Sequence, residues 1–153
     1  MSTTMATKHD HELQLAVEQE LEWAPEVEAS RVGIAVRDGV VTLSGQVTTY
    51  MQKVAASKAA FRTRGVTAVA NDIVVHYPGE KPSDSDLALT ARAVIDANSA
   101  IPRDQVKIEV RDHFVILTGQ VTWDYQRVAA RKAVSNLSAV RGVENRIALK
   151  PRP

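Results

Sequence analysis

The side chains best placed to do chemistry in this chain are cations that recur. Lys53, Lys58, Arg62 and Arg64 fall in one segment, and Arg127, Arg131 and Lys132 fall in another. Lys53 matches Arg127 in charge across a spacing of 74 residues, and Lys58 matches Lys132 across the same spacing. Cations beside an apolar edge attract anionic surfaces, at about 1 kcal/mol each near a lipid headgroup layer. Trp123 and Tyr125 precede the second set, and aromatic rings of this kind settle at water–lipid boundaries. A purely structural reading competes with this one. Lys58 and Lys132 lie close to the expected inner stripe of a helix, where their stems can cover apolar surface. Tyr125 aligns with Met51 and is expected in the core.

Other chemistries find little support. With no cysteine, disulfides, thiolate metal sites and cysteine nucleophiles are excluded. The four histidines, His9, His11, His76 and His113, have no helical i,i+4 pairing. His9 and His11 are expected in or near a flexible N-terminus, where a metal role has little to fix it. No Gly-x-Ser-x-Gly elbow offers a serine nucleophile, and no glycine-rich phosphate loop opens a helix. The chain is therefore not expected to be an enzyme, and no catalytic residue, metal ligand or cofactor site is nominated. A net charge of +1 argues against nucleic acid as a partner. The charge is uneven, with seven acids and no Lys or Arg over residues 10–30, and nine bases against four acids over 105–153. The opening residues lack the apolar core of a secretory signal, and no run reaches the roughly 18 apolar residues of a membrane span. A cytoplasmic location is expected.

The spacing of 74 extends well beyond the cations. Residues 31–75 and 105–149 align without a gap, and 21 of the 45 pairs are identical. Two copies of this length indicate tandem small domains, since a solenoid needs about three or more units. Each copy opens with a helix. Leu13, Ala16 or Val17, and Leu21 form one apolar stripe, and Leu87, Ala91 and Ile95 form the other. Asp10, and Ser83 or Asp84, are the candidate N-caps. Pro25 and Pro102 lie near the helix ends.

A hairpin follows, with Val32, Ile34 and Val36 alternating against Gly33 and Ala35. Asp38 and Gly39 supply the left-handed conformations of a tight turn. In the second copy Asp112 is followed by His113, which predicts strain or another turn type. Gly45 and Gly119, near the ends of the return strands, predict a bulge or a close backbone approach. A second helix spans roughly residues 49–64 and 123–138, with Thr48 and Thr122 as candidate caps. Met51, Val54, Ala55 and Ala59 mark its expected inner face, matched by Tyr125, Val128, Ala129 and Ala133. One last strand, 69–75 or 143–149, closes each unit. Because a helix joins it to the strand before, those two strands should run parallel.

The expected fold is α+β, as two tandem α-β-β-α-β two-layer sandwich units, each a small mixed sheet covered by two helices. The first unit covers residues 10–76 and the second 84–150. Residues 77–83, rich in proline and glycine, form a semi-rigid linker.

These motifs resemble the BON domain. The resemblance rests on Asp38-Gly39-Val40-Val41-Thr42-Leu43-Ser44-Gly45-Gln46-Val47, the alanine-rich helix, and Gly65-Val66-Thr67-Ala68-Val69-Ala70-Asn71-Asp72-Ile73, with the second copy running through Gly142-Val143-Glu144-Asn145-Arg146-Ile147. It implies a module found in osmotically inducible proteins, outer-membrane lipoproteins and channel proteins, usually described as binding phospholipid or other envelope components. One cytoplasmic relative binds potassium. Three readings follow: a stress-associated module contacting an anionic membrane, a potassium-binding osmotic sensor, and a structural or chaperone-like module with a protein partner or a homo-oligomer. For the first, the lipid-contacting candidates are Lys53, Lys58, Arg62, Arg64, Arg127, Arg131, Lys132 and Trp123. Asp38, Gly39, Gly45, Asp112 and Gly119 are candidates for the structural motif, with a ligand-facing backbone the alternative at Gly45 and Gly119.

Overall fold

The computed structural model describes residues 2–151, with side chains described from His9 onward. Two compact units divide the chain between His76 and Tyr77, except that Thr48–Tyr50 group with the second. The first holds α1 (Ser2–Trp23), a 3-10 turn (Ala29–Arg31), β1 (Val32–Arg37), β2 (Val40–Val47), α2 (Tyr50–Arg62), β3 (Ala68–Asn71) and β4 (Val74–Val75). The second holds α3 (Asp84–Ala97), β5 (Val106–Arg111), β6 (Phe114–Val121), α4 (Asp124–Ser135), β7 (Gly142–Asn145) and β8 (Ala148–Leu149). The fold is the mixed α+β arrangement that the repeat predicts.

In each sheet the hairpin is antiparallel and the strands after the helix run parallel to the hairpin's second strand. The expected single last strand is two pieces. Leu43 pairs with Asn71 and Gln46 with Val74, so the offset along β2 stays at 28. Between them the Asp72 N–H still donates to the Leu43 carbonyl at 2.8 Å, and Ile73 leaves the ladder. Asn71 explains the break. Its Oδ1 accepts from the Ile73 N–H at 3.2 Å, while its Nδ2 donates to the Lys53 carbonyl and to Ser57 Oγ on α2. Asn145 repeats the device, with Nδ2 on the Arg127 carbonyl and Oδ1 accepting from the Ile147 N–H. A short polar side chain that satisfies nearby backbone groups competes with ladder bonds in this way.

Both helices of a unit contribute to one core. Val17 and Leu21 of α1 and Ala56, Ala59 and Ala60 of α2 are buried with Val41, Leu43, Val47 and Ile73. Leu87, Ala91 and Ile95 of α3 and Ala130 and Val134 of α4 are buried with Val115, Leu117, Val121 and Ile147. Each buried Val, Leu or Ile contributes about 1.5–3 kcal/mol through removal from water, and each buried Ala less. The alternate residues of the strands face away from these helices, and the two sheets differ most on that face.

Several local expectations are corrected. The fully buried stripe of α2 is Ala56, the expected Ala59, and Ala60, with Ala55 partly buried against the core; that of α4 is Ala130 and Val134, with Ala129 partly buried. Tyr125 is 60% exposed rather than in the core. Lys58 and Lys132 are exposed. His9 and His11 lie within α1, whose helix starts before Asp10. Asp10 therefore cannot cap α1. Ser83 caps α3, accepting from the Asp86 N–H at 3.1 Å. Thr48 and Thr122 stand one residue outside the cap positions, because α2 and α4 start at Tyr50 and Asp124. The two hairpin turns also share one conformation: Asp38 and Gly39 have φ of 50° and 81°, and Asp112 and His113 have 51° and 66°. His113 adopts the left-handed pair of a type I′ turn and does not change the turn type.

Candidate functional site

The structural candidates resolve first. A Cβ on Gly45 would lie 2.1 Å from the Arg31 carbonyl oxygen, and one on Gly119 would lie 2.0 Å from that of Gln105. With φ of +113° and +124°, both positions need glycine for backbone reasons, which is the close approach expected from the sequence. Asp38 and Asp112 hold turns whose outward N–H groups are taken by a carboxylate 28 residues earlier. Asp10 Oδ1 accepts from the Asp38 N–H at 3.1 Å. Asp84 accepts from the Asp112 N–H at 2.8 Å and from the His113 N–H at 2.9 Å. The His113 and then the Asp112 N–H bonds hold the Asp84 carboxyl below its ordinary value of 3.8. The imidazole Nε2 of His113 lies 2.7 Å from the Pro82 carbonyl oxygen, which fixes the ring against the start of α3. In the first unit Gly39 leaves that place empty, and a cleft of about 660 Å³ opens there between His9, Asp10, Leu13, Asp38, Gly39 and Arg64.

The nominated cations do not form one patch. Lys53 and Lys58 are five residues apart on α2, so they point about 140° away from each other. Lys53 is half-buried, on the turn that Asn71 clamps. Lys58, Arg62 and Arg64 gather at the C-terminal end of α2, all exposed. Between them stands Phe61, 56% exposed. Only Arg62 in this group has a described ion pair, with Glu20 at 3.4 Å. Cations there also suit the negative end of the helix dipole.

On α4, Arg127 is occupied by Asp124 at 2.7 Å, and Arg131 is half-buried. Tyr125 and Lys132 are seven residues apart, so they share a bearing on the helix. Trp123, 43% exposed, stands just before it. The N–H groups of Thr122 and Trp123 both donate to Gln126 Oε1, at 3.1 and 3.0 Å, which fixes the entry to the helix.

Each second helix thus presents exposed aromatic surface with exposed cations, at its C-terminal end in the first unit and along one face in the second. The sequence reading missed Phe61, although a lone aromatic within a basic helical stretch was the available signal. It also placed Tyr125 inside, because the alignment with Met51 carried no information on helix rotation. Among the described residues no three His, Asp or Glu side chains group as a metal site, and no helix is long and apolar enough to cross a membrane.

Residues 9–77 and 83–151 each match the BON domain. The chain belongs to the BON domain family. It is also similar to osmotically-inducible protein Y of Escherichia coli K12, at 27% identity over 133 residues. That match covers 81% of this chain and 64% of the relative, so the chain spans less than two thirds of the relative's length. Among solved structures, it is similar to CdsD, a structural protein of the type III secretion system of Chlamydia trachomatis, at 14% identity and a TM-score of 0.40. That likeness covers 94% of this chain and 64% of the other. The C-terminal domain of CdsD gives 16% identity and a TM-score of 0.38, over 93% and 67% of the two chains.

Proposed function

We propose that this protein is a non-catalytic, stress-associated binding module that contacts anionic phospholipid, or another anionic envelope component, through its second helices. The observation that carries the reading is the pairing of exposed aromatics with exposed cations. Phe61 stands among Lys58, Arg62 and Arg64, and Tyr125 shares a helix face with Lys132, close to Trp123. Apolar rings enter the interfacial layer while cations bind headgroups, and the electrostatic share weakens as salt screens it. The association with stress rests on the similarity to osmotically-inducible protein Y.

Vesicle flotation tests the reading. The full chain should float with anionic vesicles at low salt, lose binding as salt rises, and ignore neutral vesicles. Lys58→Glu with Arg64→Glu, or Tyr125→Ser with Lys132→Glu, should weaken flotation while leaving the circular dichroism spectrum unchanged. Absence of flotation at low salt would overturn the lipid reading.

A further inference from the structure

The outermost strand of a sheet presents unpaired N–H and C=O groups that invite another chain, and proteins guard such edges with charge, proline or bulges. Among the described residues, β1 and β5 hold equivalent outer positions in their sheets, each paired on one side only, to β2 and β6. Their inward residues are alike: Val32, Ile34 and Val36 in β1, and Val106, Ile108 and Val110 in β5. Their outward residues are not. β5 carries exposed Lys107, Glu109 and Arg111, whereas β1 carries exposed Gly33, Ala35 and Arg37. The ladder of β1 is unbroken from Val32 to Arg37, so neither a bulge nor a proline guards it. The same face continues through the exposed Ala68, Ala70 and Val74.

We propose that β1 is an interface between two copies of this chain, pairing antiparallel with β1 of the second copy to join the two first-unit sheets. Antiparallel self-pairing about a two-fold axis uses one surface twice and closes at a dimer. In a register centred on Ala35, Ala35 faces itself, Ile34 faces Val36, and Gly33 leaves room for Arg37. No like charges oppose each other. The same register in β5 sets Glu109 against Glu109 and Lys107 against Arg111, which is destabilising at every outward position. In that register the edge of the first unit is self-complementary and that of the second self-repelling.

The absence of cysteine makes the test direct. Directly opposed residues of an antiparallel pair have Cα atoms roughly 4.5–5.5 Å apart, within disulfide reach. Under mild oxidation Ala35→Cys should form a covalent dimer, while Glu109→Cys, on the equivalent residue of β5, should remain a single chain. Sedimentation of the unmodified protein should show mass rising from one chain to two with concentration. Gly33→Lys with Ala35→Glu, the residues β5 itself carries, should abolish that rise. Equal crosslinking of the two cysteine variants, or a single-chain mass up to the highest soluble concentration, would overturn the proposal. Should the double variant fail to fold, the cysteine pair still decides it.

Discussion

The two units solve the same backbone problem with different side chains. At the hairpin turn the first unit uses Gly39 and one carboxylate bond from Asp10, whereas the second uses His113 with two bonds from Asp84 and a ring bond to Pro82. A non-glycine residue at φ of +66° costs about 1 kcal/mol, and the added hydrogen bonds offset a cost of that size. On the uncovered sheet face the first unit pairs Val40 with Ala68, and the second pairs Phe114 with Gly142. One side chain grows as its neighbour shrinks: a Cβ on Gly142 would lie 2.3 Å from the Phe114 ring. Gly45/Gly119 and Asn71/Asn145, identical in both units, serve backbone geometry. The positions that differ are where a separate role for each unit can reside.

The largest effect is expected where the two units agree. Gly45→Ala or Gly119→Ala drives a methyl into a carbonyl oxygen at a left-handed φ, and each should cost its unit more than about 3 kcal/mol in urea unfolding. Asn71→Ala and Asn145→Ala should each cost about 1–3 kcal/mol by the same measurement, because partly buried backbone groups lose their partner. Asn71 should cost more, since it also bonds Ser57, whereas Arg131 stands at the equivalent place in the second unit.

A double-mutant cycle sharpens the contrast between sheet faces. Gly142→Ala alone should destabilise by displacing the Phe114 ring. Adding Phe114→Val recreates the Val40–Ala68 pair of the first unit and should recover most of the loss, a coupling of about 0.5–3 kcal/mol. The smallest effect concerns acid. Because the Asp84 carboxyl titrates lower in the folded chain than its ordinary 3.8, its contribution is present above that value. It is lost as pH falls through the depressed folded value. Asp84→Ala should flatten the acid limb of the stability curve, measured by thermal melts between about pH 2 and 5.

Much of the fold was legible because its signals are local. Leu87, Ala91 and Ile95 fall at 3.6-residue spacing and are the buried residues of α3. The Asp-Gly turn and the alternation of β1 specified the hairpin, and a helix between two strands implied the parallel pairing. The details that escaped depend on distant partners. The bond from Asp10 to the Asp38 turn spans 28 residues, and the break between β3 and β4 comes from an amide reaching across to α2. Helix rotation was ambiguous where the sequence offered adjacent pairs, Ala55-Ala56 and Ala59-Ala60, because either member fits the period. That single ambiguity misplaced Tyr125 and hid the grouping of Phe61 with Lys58 and Arg64.

The most direct measurement uses Trp123 as its own reporter. The chain has two tryptophans, and Trp23 is already 76% exposed at the end of α1, so Trp23→Phe should leave the fold intact. Titrating that variant with anionic vesicles should shift the Trp123 emission to shorter wavelength, and raised salt should reverse the shift. Emission that stays unchanged with anionic vesicles at low salt would contradict an interfacial role for α4.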